Sequence, residues 1–110
     1  LTRRGIEFDL LPWCEAHQVP LIAYSPVEQG RLLGHPVLQK IAHKHGATPV
    51  QVALAWVLRR PGVLAIPKAS TAKHVRENFG SLSVELTKQD LSQIDEVFPA
   101  PRRKHMLEVI

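Results

Sequence analysis

Val63-Leu64-Ala65-Ile66-Pro67-Lys68-Ala69-Ser70-Thr71 passes from four apolar residues straight into a polar turn. A short unbroken apolar run, bounded by Pro61-Gly62 before it and Pro67 after it, is expected to be a strand buried on both faces. Upstream stands its counterpart, Val19-Pro20-Leu21-Ile22-Ala23-Tyr24, closed by Ser25-Pro26 and Gly30 and too short for a helix. Helical patterns separate the two. His35-Pro36 opens one, with apolar Val37, Leu38, Ile41 and Ala42 and a terminating Gly46. Thr48-Pro49-Val50-Gln51 opens the next with a variant of the capping box and a proline at the first helical position. From Val50 to Leu58 its apolar residues cover most of the circumference, which predicts a well-buried helix rather than a one-sided stripe.

Outward from these, Asp9 and Pro12 predict a short helix over 9–17. The polar turn from Lys68 to Thr71 leads to a helix near 72–79, and Leu86-Thr87-Lys88-Gln89-Asp90 caps a last helix near 88–97. Pro99-Ala100-Pro101-Arg102-Arg103-Lys104 reads as an extended loop, so residues 98–110 are expected to form a C-terminal loop or tail. Helices alternate with strands, and the connections are long enough for right-handed parallel crossovers, so the fold class is α/β. Two strands alone leave open edges and too little sheet for the helices, which implies further strands. The opening Leu1-Thr2-Arg3-Arg4-Gly5 enters a charged turn with no lead-in, as expected of a piece of a longer chain.

With 110 residues, 45% hydrophobic and 22% charged, the chain is sized for one small globular domain and unlike a disordered tail. No apolar run approaches the ~20 residues that span a bilayer, and no signal peptide is legible, so a cytoplasmic protein without a membrane partner is expected. The lone Cys14 cannot form an intrachain disulfide and reads as a small buried hydrophobe. A net charge of +4 suits phosphate-bearing small molecules as well as nucleic acid. Arg102-Arg103-Lys104 lacks interleaved aromatics, and the chain carries no recognised nucleic-acid motif, so a solvated tail is expected and no nucleic-acid partner. His43 and His45, two apart on a helix, point to different faces, and no metal site is expected.

Ligands of parallel α/β folds bind at the carboxyl ends of strands and at the helix starts that follow. Two such places exist. At Tyr24-Ser25-Pro26-Val27-Glu28-Gln29-Gly30, an aromatic ring could stack on a flat ring while the backbone meets a pyrophosphate; a Tyr capping the core above a Ser-Pro turn explains the segment equally well. At Ile66-Pro67-Lys68-Ala69-Ser70-Thr71, a lysine, two hydroxyls and a helix N-terminus converge, which suits a dianionic phosphate; a solvated capping turn is the alternative.

In this order and spacing the two segments resemble the aldo-keto reductase family. Tyr24-Ser25-Pro26 is similar to the family's seventh-strand Tyr-Ser-Pro, and Ile66-Pro67-Lys68-Ala69-Ser70-Thr71 with His74, Glu77 and Asn78 is similar to its eighth-strand cofactor motif. Thr48-Pro49-Val50-Gln51-Val52-Ala53-Leu54 resembles its Thr-Pro-Ala-Gln-Val-Ala-Leu segment. The opening from Arg3 to Cys14 and the tail from Pro99 to Lys104 look like bacterial members related to methylglyoxal reductases. The resemblance implies the C-terminal part of a (β/α)8 barrel, the region of the seventh and eighth strands, within one domain of roughly 250 residues or more.

It further implies that NADPH is the cofactor. Tyr24 would stack on the nicotinamide, Ser25 and Val27 would line the pyrophosphate, and Lys68, Ser70 and Thr71 would hold the adenosine 2′-phosphate. Glu77 and Asn78 would reach the adenine, and His74 stands where many members place an arginine. The family's catalytic Asp, Tyr, Lys and His come from earlier strands and match nothing here, so no catalytic residue is assigned. The expected function is therefore the NADPH-binding part of an oxidoreductase that reduces small aldehydes and ketones, methylglyoxal-like carbonyls among them, by hydride transfer. The chain alone is expected to be inactive and its parent a monomer. The alternative is a truncated nucleotide-binding or self-associating module without catalysis.

Overall fold

The computed structural model describes residues 1–108. A single 3₁₀ turn at Gly5–Glu7 precedes α1 (Leu10–Ala16), β1 (Leu21–Tyr24), α2 (Pro36–Lys44), α3 (Pro49–Leu58), β2 (Val63–Ile66), α4 (Ala72–Gly80) and α5 (Lys88–Val97). Further 3₁₀ turns lie at Glu28–Gly30 and Ser81–Ser83. Every helix and both strands expected from the sequence are present, with ends shifted by up to two residues. Residues 99–108 form no helix or strand, and the last two residues of the expected tail lie outside the described ones.

Local chemistry explains the helix ends. Thr48 and Thr87 each accept the backbone N–H three residues on, while Gln51 and Asp90 reach back to their caps, so α3 and α5 open with complete capping boxes. At α2, His35 is the cap: its Nδ1 accepts the Val37 N–H at 3.3 Å, and Pro36 occupies the first helical position. The same helix ends where Gly46 takes φ +60°, letting the Ala47 N–H reach the Ala42 carbonyl at 2.9 Å and the Gly46 N–H reach His43 at 3.2 Å. These two bonds form the Schellman closure that a left-handed glycine permits.

β1 and β2 pair in parallel, with Leu21 opposite Val63 and Tyr24 opposite Ile66. They form the one sheet among the described residues. The crossover between them carries α2 and α3, and α3 packs on β2. Val52, Ala53 and Trp56 of α3 join Leu38, Ile41 and Ile94 in the core, so α3 is the central buried helix that its apolar circumference predicts. Cys14 is buried, as expected.

One expectation fails. Neither strand is buried on both faces: Leu21, Ala23, Val63 and Ala65 are half-buried, whereas Ile22, Tyr24, Leu64 and Ile66 are 50–59% exposed. The helices cover one side of the sheet, and the side chains on the other are half or more exposed. A closed barrel turns that second face to its interior. The apolar composition of the strands is thus that of a two-sided core of which these residues build one side.

Arg4 ties the N-terminal segment to α5. Its guanidinium is 7% exposed and donates to Glu7 at 2.7 and 3.0 Å, to Asp95 at 2.6 Å and to the Phe98 carbonyl at 2.5 Å. Arg59 stacks over the Trp56 ring at 3.7 Å, with Arg4 5.0 Å from the same ring.

Candidate functional site

The parallel register places the two ligand segments side by side. Because Tyr24 pairs with Ile66, both strands end at the same level, and Ser25 and Pro67 leave adjacent strand ends about 4.8 Å apart. Their loops emerge on one rim of the sheet, at the carboxyl ends where ligands of such folds bind.

The loop after β1 is tightly wound. Ser25, Glu28 and Gln29 all have positive φ, at 46°, 51° and 57°, which costs an L-residue energy that surrounding contacts must offset. Glu28 provides such contacts. Its carboxylate is 5% exposed and accepts the Thr2 N–H at 2.8 Å, the Thr2 hydroxyl at 2.5 Å and the Leu1 nitrogen at 3.0 Å. Burial pushes the Glu28 carboxyl up, but these donors outweigh it and hold the group below its ordinary range. Tyr24 and Ser25 also line a cavity of about 370 Å³ that runs along β1 and is walled by Ile6, Leu10, Trp56 and Leu107 among others.

Lys68, Ser70, Thr71, His74, Glu77 and Asn78 lie outside this cavity, on β2's exit loop and α4. Lys68 and Ser70 are exposed and have no hydrogen bond or ion pair among the described residues. Thr71 caps α4 by accepting the His74 N–H at 3.2 Å. Lys68, Ser70 and Thr71 lie within four residues at the start of a nine-residue helix, and an ammonium, two hydroxyls and the first helical N–H groups are a donor set that fits a phosphate dianion. Six residues further along α4, about 9 Å at the helical rise, come the half-buried Glu77 and Asn78. Here Glu77 Oε1 accepts the Thr48 hydroxyl at 2.7 Å.

The sequence-assigned residues therefore fall into two groups on one rim: Tyr24, Ser25 and Val27 after β1, and Lys68 to Asn78 after β2. Sequence reasoning missed Glu28 as the anchor of the first loop and Thr48 and Gln51 as contacts of the second group. Thr48 and Gln51 were legible as a capping box, but their long-range partner was not. Glu28 left only the signal of a carboxylate between Val27 and a glycine-containing turn. No group of His, Cys, Asp or Glu able to hold a metal ion occurs among the described residues.

The model of the Aldo/keto reductase family matches residues 1–98. Methylglyoxal reductase YeaE of Escherichia coli is 48% identical over 115 residues, covering all of this chain and 40% of that protein. Glyoxal reductase of Bacillus subtilis is 38% identical over 87 residues, covering 79% of this chain and 31% of that protein. Among solved structures, an aldo-keto reductase from Klebsiella pneumoniae in complex with NADPH superposes with a TM-score of 0.95 at 45% identity, over 99% of this chain and 40% of its own. A second Klebsiella pneumoniae structure, with NADP and acetate, superposes at 0.96 over the same shares. The chain thus spans about 40% of the length of these relatives. Motif order, parallel register and near-complete superposition agree: the chain belongs to the aldo/keto reductase family, and its α/β fold is that of part of the family's (β/α)8 barrel.

Proposed function

We propose that this chain is the NADPH-binding portion of a reductase of small aldehydes and ketones, methylglyoxal-like carbonyls among them. The alignment of Tyr24 with Ile66 in the register carries the reading, because it sets both cofactor segments on one rim. A 48% identical methylglyoxal reductase and the NADPH complex of a 45% identical reductase support the substrate class and the cofactor.

In this reading the charged end of the cofactor meets Lys68, Ser70 and Thr71. Lys68 supplies positive charge to the 2′-phosphate, and Ser70 and Thr71 with the α4 N–H groups supply directed donors. His74, on the first turn of α4, stands beside this phosphate and offers a ring nitrogen to it. Glu77 and Asn78 border the adenine. The wound loop from Ser25 to Gly30 brings Ser25 and Val27 to the pyrophosphate, with buried Glu28 as its anchor. Tyr24 offers a flat ring for the nicotinamide. Bound there, the dinucleotide supplies the hydride for carbonyl reduction. The proton donor lies outside this chain's matched motifs, so the 110-residue chain by itself does not turn over.

An amide NMR spectrum of the chain, titrated with NADPH and then NADH, tests the cofactor assignment. Shifts led by Lys68, Ser70 and Thr71, stronger with NADPH, are expected; equal responses or none would overturn it. Aldehyde-dependent NADPH oxidation by a mass-verified preparation would overturn the inactivity. A second reading, a self-associating module, is favoured by the exposed apolar face of Ile22, Leu64 and Ile66. Sedimentation equilibrium decides it: a dimer supports association, and a folded monomer removes it.

A further inference from the structure

Thr48 and Gln51 do more than cap their own helix. The Thr48 hydroxyl accepts the Gln51 N–H at 3.3 Å and donates its single proton to Glu77 Oε1 at 2.7 Å. The Gln51 amide is divided in the same way: its Oε1 accepts the Thr48 N–H at 3.0 Å, and its Nε2 donates to the Glu77 carbonyl oxygen at 2.9 Å. One turn of α3 therefore grips a single residue of α4 by side chain and main chain together. Gly80 makes room for this, since a Cβ there would stand 2.6 Å from Gln51 Nε2 and force the amide off its partner.

The grip leaves Glu77 half used. Oε1 is held by Thr48, whereas Oε2 has no hydrogen bond among the described residues. An ionised carboxylate only accepts, so the free oxygen selects a donor. Asn78, adjacent and half-buried, likewise has no side-chain hydrogen bond among the described residues.

We infer that Thr48 is a positioning residue for base recognition: the α3 cap holds Glu77 so that its second oxygen accepts the exocyclic amine of a 6-aminopurine and disfavours a 6-oxopurine. This rests on the proposed placement of Glu77 and Asn78 beside the adenine. A 6-oxo base presents an acceptor where the amine was, and two acceptors facing one another leave both unsatisfied. Without Thr48 the carboxylate is free to turn, and the preference goes with it.

The test is the affinity of the 110-residue chain for NADPH and for its 6-oxo (hypoxanthine) analogue, by fluorescence titration. Wild type is expected to prefer NADPH by about tenfold, the scale of one charge-assisted hydrogen bond. Thr48→Val and Glu77→Ala should bring the ratio near one, and Thr48→Ser, which keeps the hydroxyl, should retain it. A merely structural Thr48 would weaken both nucleotides alike and leave the ratio intact. If Glu77→Ala loses the preference while Thr48→Val keeps it, the positioning role is overturned and the adenine placement stands. If Glu77→Ala keeps the preference, or wild type binds neither nucleotide, the placement itself fails and the inference with it. Should Thr48→Val not fold, as judged by its amide spectrum, Thr48→Ala removes the same hydroxyl with a smaller side chain, and an undiminished ratio there would overturn the inference.

Discussion

The side chain of Lys68 leaves the end of β2 two residues beyond the pair Tyr24 and Ile66, exposed and without an ion pair among the described residues. A lysine left free at a helix start, beside two hydroxyls, contributes to stability far less than it can contribute to an anion. Lys68→Ala is therefore expected to leave the thermal midpoint nearly unchanged while reducing the NADPH-over-NADH affinity ratio by about tenfold or more. Isothermal titration with both nucleotides checks this, and an unchanged ratio would remove Lys68 from the 2′-phosphate site. Gln29 shows the opposite economy. It is exposed with φ 57° and ψ 30°, a conformation glycine adopts without strain. Gln29→Gly should raise stability by about 0.5–1 kcal/mol in urea unfolding; a loss would mean that its side chain offsets the strain. Lysine and hydroxyls at a strand exit were readable from residue types alone as a donor set suited to phosphate. The positive φ values were not, because Ser25, Glu28 and Gln29 carry no glycine-like signature.

At the scale of elements, caps that looked local turn out to join helices. Asp90 completes the α5 capping box by accepting the Thr87 N–H at 2.9 Å, yet it is 1% exposed and also accepts Lys44 Nζ at 2.9 Å, with His45 Nε2 at 2.6 Å. Lys44 and His45 close α2, so one carboxylate fastens the end of α2 to the start of α5, favourably for both helix dipoles. Burial pushes the Asp90 carboxyl up, but the bonds from Lys44, His45 and Thr87 prevail and hold it well below the usual range. A folded-state value below the unfolded one of about 4 stabilises fully above that value and is lost as pH falls through the folded one. Wild type should accordingly lose on the order of 2 kcal/mol from this group between neutrality and strong acid. Asp90→Asn should be less stable at pH 7 and lack that component, so that the two unfolding curves converge toward low pH. Parallel curves would show that the carboxylate is not the link. The Thr87 to Asp90 spacing announced the cap; its partners 45 residues upstream could be seen only once α2 and α5 were packed.

For the whole molecule, the core and the sheet behave differently. Leu38 is fully buried among α2, α3 and α5 side chains, and Leu38→Ala should cost about 3 kcal/mol in denaturant unfolding. Ile66, on the more open face of the sheet, is 59% exposed. Ile66→Lys should change monomer stability by less than about 0.5 kcal/mol, yet abolish any self-association seen by sedimentation. Association that survives this change would place the contact elsewhere.

The order of helices and strands, the caps at Thr48 and Thr87, the Gly46 stop and the polar loops that follow both strands were determined by the sequence itself, because each depends on residues within a turn or two of one another. The tertiary structure decided the rest. It set which face of each strand is covered, since an all-apolar strand carries no alternation to mark its inner side. It also brought Thr48 to Glu77, Asp90 to His45 and Glu28 to Thr2, pairings that span 26 to 45 residues. Polar side chains of this kind read as caps or solvated charges until packing removes water and leaves one another as partners.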